Sequence, residues 1–217
     1  MNVLHVIANP KPTEESVSKQ LAMEFFAKLM ELYPEVTINN IDLYQSKPPF
    51  LNHEALSYFW KPLSLAGYIP TKAEESAANF SNNNVPFVRD ADVLVLTLPV
   101  WLNSMPAILK AWLDQVFVPG ALFSFDESGN IVPNHHIKMV VLLVASGGIY
   151  KENDPADGLT PAIRAIFNVL DIDNIQIAWA DGQNAKRYFD SDERREMAIE
   201  AAQEIAEEVA ALAVSEG

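Results

Sequence analysis

Residues 92–125 read DVLVLTLPVWLNSMPAILKAWLDQVFVPGALFSF, and the succession of textures within them decides the fold class. An apolar run, Val93–Leu98, stops at Pro99; a short aromatic turn follows, and an amphipathic segment then opens on Pro106. A buried strand feeding a loop and then a helix is the unit from which open α/β sheets build ligand sites at strand carboxyl ends. The loop Pro99-Val100-Trp101-Leu102-Asn103-Ser104 offers an aromatic ring, backbone N–H groups and an amide side chain. That mixture suits a flat, largely apolar ligand with a polar edge.

The same alternation extends in both directions. Val3–Ala8 reads as a first buried strand, ending in the turn Asn9–Glu15, with a helix from Ser16 to Leu32 that places Leu21, Phe25, Leu29 and Leu32 on one face. Val36–Leu43 is a second strand, and Tyr44–Pro70 is the longest irregular stretch, of a length that marks a lid or a partner surface. Thr71 and Glu74 have capping-box spacing for a helix running to Asn79 or beyond. Pro106–Phe117 is a helix with proline in its first turn. Gly120–Val132 is an excursion around the hairpin-like turn Asp126–Asn130. Met139–Val144 and Ile175–Trp179 are the fourth and fifth strands, with helices over Gly158–Val169 and Ser191–Val214. Five strands alternating with five helices predict one α/β domain over residues 1–217, with a parallel sheet covered on both faces.

Composition narrows the function. With 49% apolar and 20% charged residues the chain can bury a core, and its 14 prolines cluster at apparent element ends. No apolar run approaches the ~18 residues of a membrane span, and Met1 leads directly into a strand without a basic leader, so a soluble protein is expected. The absence of cysteine excludes disulfides and thiolate chemistry and fits a cytoplasmic protein. A formal charge of −14 disfavours nucleic acid and anionic membrane as partners. An anionic ligand must then be held by backbone N–H groups and a helix N-terminus.

Three strand-to-helix loops, Asn9–Ser18, Pro99–Pro106 and Ala145–Ile149, follow strands one, three and four. In a doubly wound sheet of order 2-1-3-4-5 these strands neighbour the switch point, and their loops line one crevice. Ser16 and Ser18 could hold a phosphate, or Ser16 could be an N-cap only. Trp101 could abut a planar ring or pack in a core or interface. Gly147-Gly148 permits close backbone approach, or is an ordinary tight turn. Nucleophile-elbow, P-loop and dinucleotide glycine signatures are absent. The adjacent His135-His136 lack a spaced third ligand and read as solvent-exposed, so no metal site is expected; His5, inside an apolar strand, reads as a packed core residue.

At these loops the sequence resembles the flavin-dependent NAD(P)H:quinone oxidoreductase and azoreductase family, of flavodoxin-like fold. The matching segments are Ser16-Val17-Ser18-Lys19-Gln20-Leu21, Pro99-Val100-Trp101, Pro106–Asp114, Gly120-Ala121-Leu122-Phe123 and Ser146-Gly147-Gly148-Ile149. The resemblance implies a three-layer sandwich, and FMN as cofactor in preference to FAD. It also implies NADH or NADPH as electron donor, a quinone or azo acceptor, and a homodimer. Asn9, Ser16, Val17 and Ser18 would then lie on the phosphate side. Pro99, Val100, Trp101, Leu102 and Asn103 would border the isoalloxazine, and Ala145, Ser146, Gly147 and Gly148 would close its other edge. Phe125 would contact substrate, Tyr44–Pro70 and Phe117–Phe125 would supply the partner's wall, and no side chain need be catalytic.

The chain departs from the azoreductase branch at three places. Asn9 stands where that branch has serine, Leu102 where it has asparagine, and Ala145-Ser146 where it has Ser-Arg. These departures keep two alternatives open: a flavodoxin-type electron carrier, and a flavin-free binding protein that retains the fold. A hydrolase is disfavoured by the lack of an activated nucleophile.

Overall fold

The computed structural model describes residues 1–151 and 153–214. The strands are β1 (Asn2–Ile7), β2 (Thr37–Asp42), β3 (Val93–Pro99), β4 (Phe123–Phe125), β5 (Ile131–Pro133), β6 (Met139–Ala145) and β7 (Ile175–Ala180). The helices are α1 (Val17–Leu32), α2 (Leu43–Ser46), α3 (His53–Ser64), α4 (Lys72–Ala77), α5 (Asn79–Arg89), α6 (Ala107–Val116), α7 (Thr160–Asn168) and α8 (Ser191–Val214).

Five strands pair in the order β2-β1-β3-β6-β7, every pair parallel. With the short hairpin β4-β5 set aside, this is the 2-1-3-4-5 order expected. Side chains alternate across a strand, so the continuous apolar run of β3 serves two layers. Leu94, Leu96 and Leu98 face Val88 of α5, Leu109 and Trp112 of α6, and Ile163 and Phe167 of α7. Val93 and Val95 face Leu21, Phe25 and Leu29 of α1, and Ala202, Ala206 and Val209 of α8. The alanines of α8 let it lie close against α1 and the sheet, leaving its glutamates to solvent.

The stretch 44–70 departs from the irregular segment expected, because it contains α2 and α3. Asn52 caps α3 by accepting from the Ala55 N–H at 2.9 Å. Pro62 sits inside α3 and Pro86 inside α5, so prolines do not mark element ends throughout. The capping box is present: Thr71 Oγ1 accepts from Glu74 N–H, and Glu74 Oε2 accepts from Thr71 N–H at 2.8 Å. Glu74 also accepts from Lys61 Nζ (2.8 Å) and the Tyr68 hydroxyl (2.6 Å), which ties α3 to α4. These donors, Lys61 foremost, hold its carboxyl at about 2. The helix expected from Thr71 is two helices that meet at Ala78.

His135 is a half-buried brace rather than a solvent residue. Its Nδ1 accepts from Ile137 N–H at 3.1 Å, which leaves Nε2–H to donate to the Leu170 carbonyl at 2.9 Å. His136 is exposed. No described helix is long and apolar enough to cross a membrane.

Thr97 is the polar residue inside β3, fully buried, and His5 satisfies it through Nε2 at 2.8 Å. The other ring nitrogen meets Asn40 Oδ1 at 2.9 Å, and the ring packs 4.7 Å from Phe26. Burial pushes the His5 pKa down from 6.5 to about 4. The folded chain therefore keeps His5 neutral while the unfolded chain takes up a proton below pH 6.5, so stability falls with pH between 6.5 and about 4. The full effect is roughly 3 kcal/mol. We expect His5→Gln to lower stability at about pH 7 and to lose much less on acidification to about pH 4.5. Urea midpoints at both pH values check this.

Candidate functional site

The loops leaving β1, β3 and β6 converge with a fourth, leaving β7, around a cleft of about 370 Å³. Asn9, Ser16, Val17, Pro99, Val100, Trp101, Ala145, Ser146 and Gly147 line it, as do Lys11, Glu15, Gln183 and Asn184. It sits at the carboxyl edge where the strand order reverses, between β1 and β3.

One end of the cleft is a hydroxyl cluster on the N-terminus of α1. Asn9 Nδ2 donates to Ser16 Oγ (2.7 Å) and Ser18 Oγ (3.1 Å), and the two hydroxyls lie 3.3 Å apart. Asn9 Oδ1 accepts from Lys11 N–H, and Lys19 Nζ reaches the Lys11 carbonyl, so the turn is held from both sides. Ser16 is an N-cap, accepting from Lys19 N–H at 3.3 Å, and it lines the cleft as well; both readings hold at one residue. Among the described residues no acceptor faces the N–H groups of Val17 and Ser18, which leaves them available to an anion.

The opposite wall is a two-residue hairpin. Trp101 N–H donates to the Ser104 carbonyl (2.9 Å) and Ser104 N–H to the Trp101 carbonyl (3.1 Å). Leu102 and Asn103 at its tip have φ of 48° and 63°. Two positive φ values in a two-residue turn match the primed turns that favour Asn-Gly. Leucine there strains the backbone by roughly 1–2 kcal/mol. Trp101 is 43% exposed beside the cleft, whereas the Leu102 side chain is 101% exposed and does not line it.

A brace behind the hairpin joins the loops after β3 and β6. Asn103 accepts from Tyr150 Oη at its side-chain oxygen (2.9 Å) and from Gly158 N–H at its carbonyl (2.8 Å). Burial, with Asp157 and Asp154 nearby, raises the Tyr150 pKa and keeps its proton in place. The Tyr150 ring lies 5.2 Å from that of Trp179, whose indole N–H donates to Ser146 Oγ (2.8 Å); Ser146 in turn donates to the Gly148 carbonyl (2.8 Å). Ser146 thus sets the shape of the glycine pair.

Several expected residues stand apart from the cleft wall. Ser18 is fully buried in the hydroxyl cluster, the Asn103 side chain is bonded to Tyr150, and Gly148 does not line the cleft. Phe125 sits on β4, 39% exposed and edge-on to Phe123, away from this cleft. Sequence reasoning missed Gln183 and Asn184. Their signal is Gly182 (φ 62°) among polar residues immediately after a strand, the same texture as the other three loops. Gln183 is immobilised by bonds to the Asp181 and Ser191 carbonyls and by Arg195.

An anion-ready helix end, an aromatic wall and a glycine edge fit a flat heterocycle carrying a phosphate. The family model for a flavodoxin-like fold matches residues 1–208. An FMN-dependent NADH:quinone oxidoreductase of Azotobacter vinelandii is 32% identical over 186 residues, covering 85% of this chain and 89% of that protein. One of Beijerinckia indica is 29% identical over 173 residues, covering 79% and 83%. A crystal structure of an FMN-dependent NADH-azoreductase from Bacillus anthracis, in complex with FMN, superimposes with a TM-score of 0.82 at 26% identity, covering 96% of this chain and 99% of that one.

Gly158 tests how firmly the brace is built. A Cβ there would lie 2.6 Å from the Asn103 carbonyl oxygen, a backbone atom that no rotamer change can move. We expect Gly158→Ala to lower stability by about 1–3 kcal/mol, as steric strain at a packed backbone does. Thermal melting checks this, and an unchanged melt would show the hairpin to be free to shift.

Proposed function

The chain belongs to the flavodoxin-like-fold family that includes the FMN-dependent NADH:quinone oxidoreductases and azoreductases, and on that footing we propose that it is a flavoprotein oxidoreductase passing two electrons from a reduced nicotinamide, through bound FMN, to a quinone or azo compound. The observation that carries the reading is the convergence, at the β1/β3 switch point, of a helix N-terminus, an aromatic hairpin and a glycine pair on one cleft. NADH is the donor in the relatives' names, and a chain of charge −14 offers little to the extra phosphate of NADPH.

When bound, FMN would supply the two-electron redox chemistry between donor and acceptor. The protein's part is binding and orientation. Ser16 and the N–H groups of Val17 and Ser18 would hold the phosphate, with Asn9 and the buried Ser18 hydroxyl fixing the direction of the Ser16 hydroxyl. Pro99, Val100 and Trp101, which line the cleft, would form the ring's apolar border and exclude water from it. The backbone N–H groups of Leu102, Asn103 and Gly147 would be offered to the ring's polar edges, with Ala145 and Ser146 beside them and Gly148 shaping the turn, and would favour negative charge there. Leu102 and Ala145 contribute no side-chain hydrogen bond, so the backbone carries that recognition. No catalytic side chain is assigned. His5 is neutral with both nitrogens bonded and has no proton to deliver.

A homodimer is part of the proposal. Leu51, Leu56, Trp60, Phe117, Ile166 and Val169 line an apolar groove of about 350 Å³ built from the two segments expected to face a partner and from α7. Phe50 and Ile69, 80% and 82% exposed, extend apolar surface along the first segment. Phe125 would reach acceptor only in such an assembly. A charge in the groove, Trp60→Glu, is expected to shift sedimentation from dimer to monomer; a wild-type monomer would remove this part.

The decisive experiment is the absorbance spectrum of the purified protein with FMN and FAD titrations. Bound FMN, bleached by NADH and restored by a quinone, is expected; no uptake of either flavin would overturn the reading. Trp101→Ala is expected to weaken FMN binding roughly three- to tenfold, the scale of one lost aromatic contact.

A further inference from the structure

Leu102 carries backbone strain that nothing in the chain repays. Its φ of 48° is costly for a branched side chain, and that side chain is 101% exposed, so no packing within the fold offsets the strain. Nor can the tip relax freely. The Trp101–Ser104 hydrogen bonds close the hairpin, and Tyr150 and Gly158 hold Asn103 from behind. An apolar side chain held rigidly in water next to Trp101, which lines the cleft, is placed to meet something that arrives there.

Beyond the flavin that the Leu102 backbone N–H would meet, its side chain has two possible occupants, an acceptor and a second copy of the chain. The groove suited to a second copy is lined from α3, α6 and α7 and receives no residue of this hairpin. Position therefore favours the acceptor. We infer that Leu102 is a specificity-determining contact for the hydrocarbon substituent of a quinone acceptor, whose ring binds beside Trp101 while its tail covers the leucine. The inference rests on the flavoprotein reading and adds a preference within it: acceptors with an alkyl or isoprenoid chain over bare rings.

The test uses the full chain and two variants. Asn tolerates positive φ, so Leu102→Asn removes both strain and apolar contact; Leu102→Ala keeps the strain and removes the contact. The unloaded Leu102→Asn protein is expected to melt about 2–4 °C higher than wild type, and Leu102→Ala is not. With FMN bound, both variants are expected to lose about five- to tenfold in kcat/KM for a naphthoquinone carrying an isoprenoid tail, relative to unsubstituted benzoquinone.

An equal loss for the two quinones would place Leu102 on the flavin and overturn the proposal. So would an unchanged ratio, an unchanged melt for Leu102→Asn, or conversion of a wild-type dimer to monomers by either variant. Failure of the wild type to take up FMN would instead sink the flavoprotein reading and this preference together, and it is seen before any variant is made.

Discussion

Strand β3 lies at the centre of the sheet with both of its faces covered, and from that burial the remaining architecture follows. A strand with two apolar faces needs a helical layer above and below, which α5, α6 and α7 supply on one side and α1 and α8 on the other. Parallel neighbours satisfy its backbone groups on both edges. Polar backbone then becomes free only where strands end, and the carboxyl ends of β1, β3, β6 and β7 are where the four loops open. Thr97 is the one hydroxyl inside this strand, and it is tolerated because His5 and Asn40 carry its bond across to β2. A single polar chain thus links three strands through the core.

The site above this core is stiff by construction. Every loop that lines it is held by a side chain: Asn9 in the first, Tyr150 in the second, Ser146 in the third, Gln183 in the fourth. Preorganised donors do not have to be gathered when a ligand arrives, which is the usual origin of electrostatic stabilisation in a dry site. Against this stiffness, Leu102 breaks a local rule. Its neighbours obey the turn's demands, and it does not; such conflicts concentrate where a surface is kept for use rather than for folding.

The strands and the three principal loops were legible in the sequence because continuous apolar runs and strand-ending Pro or Gly are local signals, and the alternation of strands with helices then implied the sheet order. The boundaries of α8 were readable because its alanine-rich run with an acidic face is equally local. Helix α3 was not. Its apolar positions, Leu56, Phe59, Trp60 and Leu63, have helical spacing, but Pro62 among them reads as a break, and its start depends on Asn52, an unremarkable turn residue until the cap forms. Asn103 illustrates the limit at the site. Sequence places it on the correct loop, yet its side chain is turned towards Tyr150, and that contact spans 47 positions. His135 shows the same thing: adjacency suggested solvent, whereas its Nε2–H donates to a carbonyl 35 residues away. Long-range polar bonds have no periodicity to betray them.

The four tryptophans sit in four different surroundings, which makes the molecule its own optical instrument. Trp112 is fully buried, with no hydrogen-bond partner for its indole nitrogen. Trp179 is bonded to Ser146, beneath the glycine edge of the cleft. Trp101 borders the cleft and Trp60 the apolar groove, each 43% exposed. Emission from the dry core should sit to the blue and that of the two half-exposed rings to the red. Quenching by a dissolved small molecule, sorted by wavelength, would then separate events that cover the two half-exposed rings from those that reach the core, with no label attached.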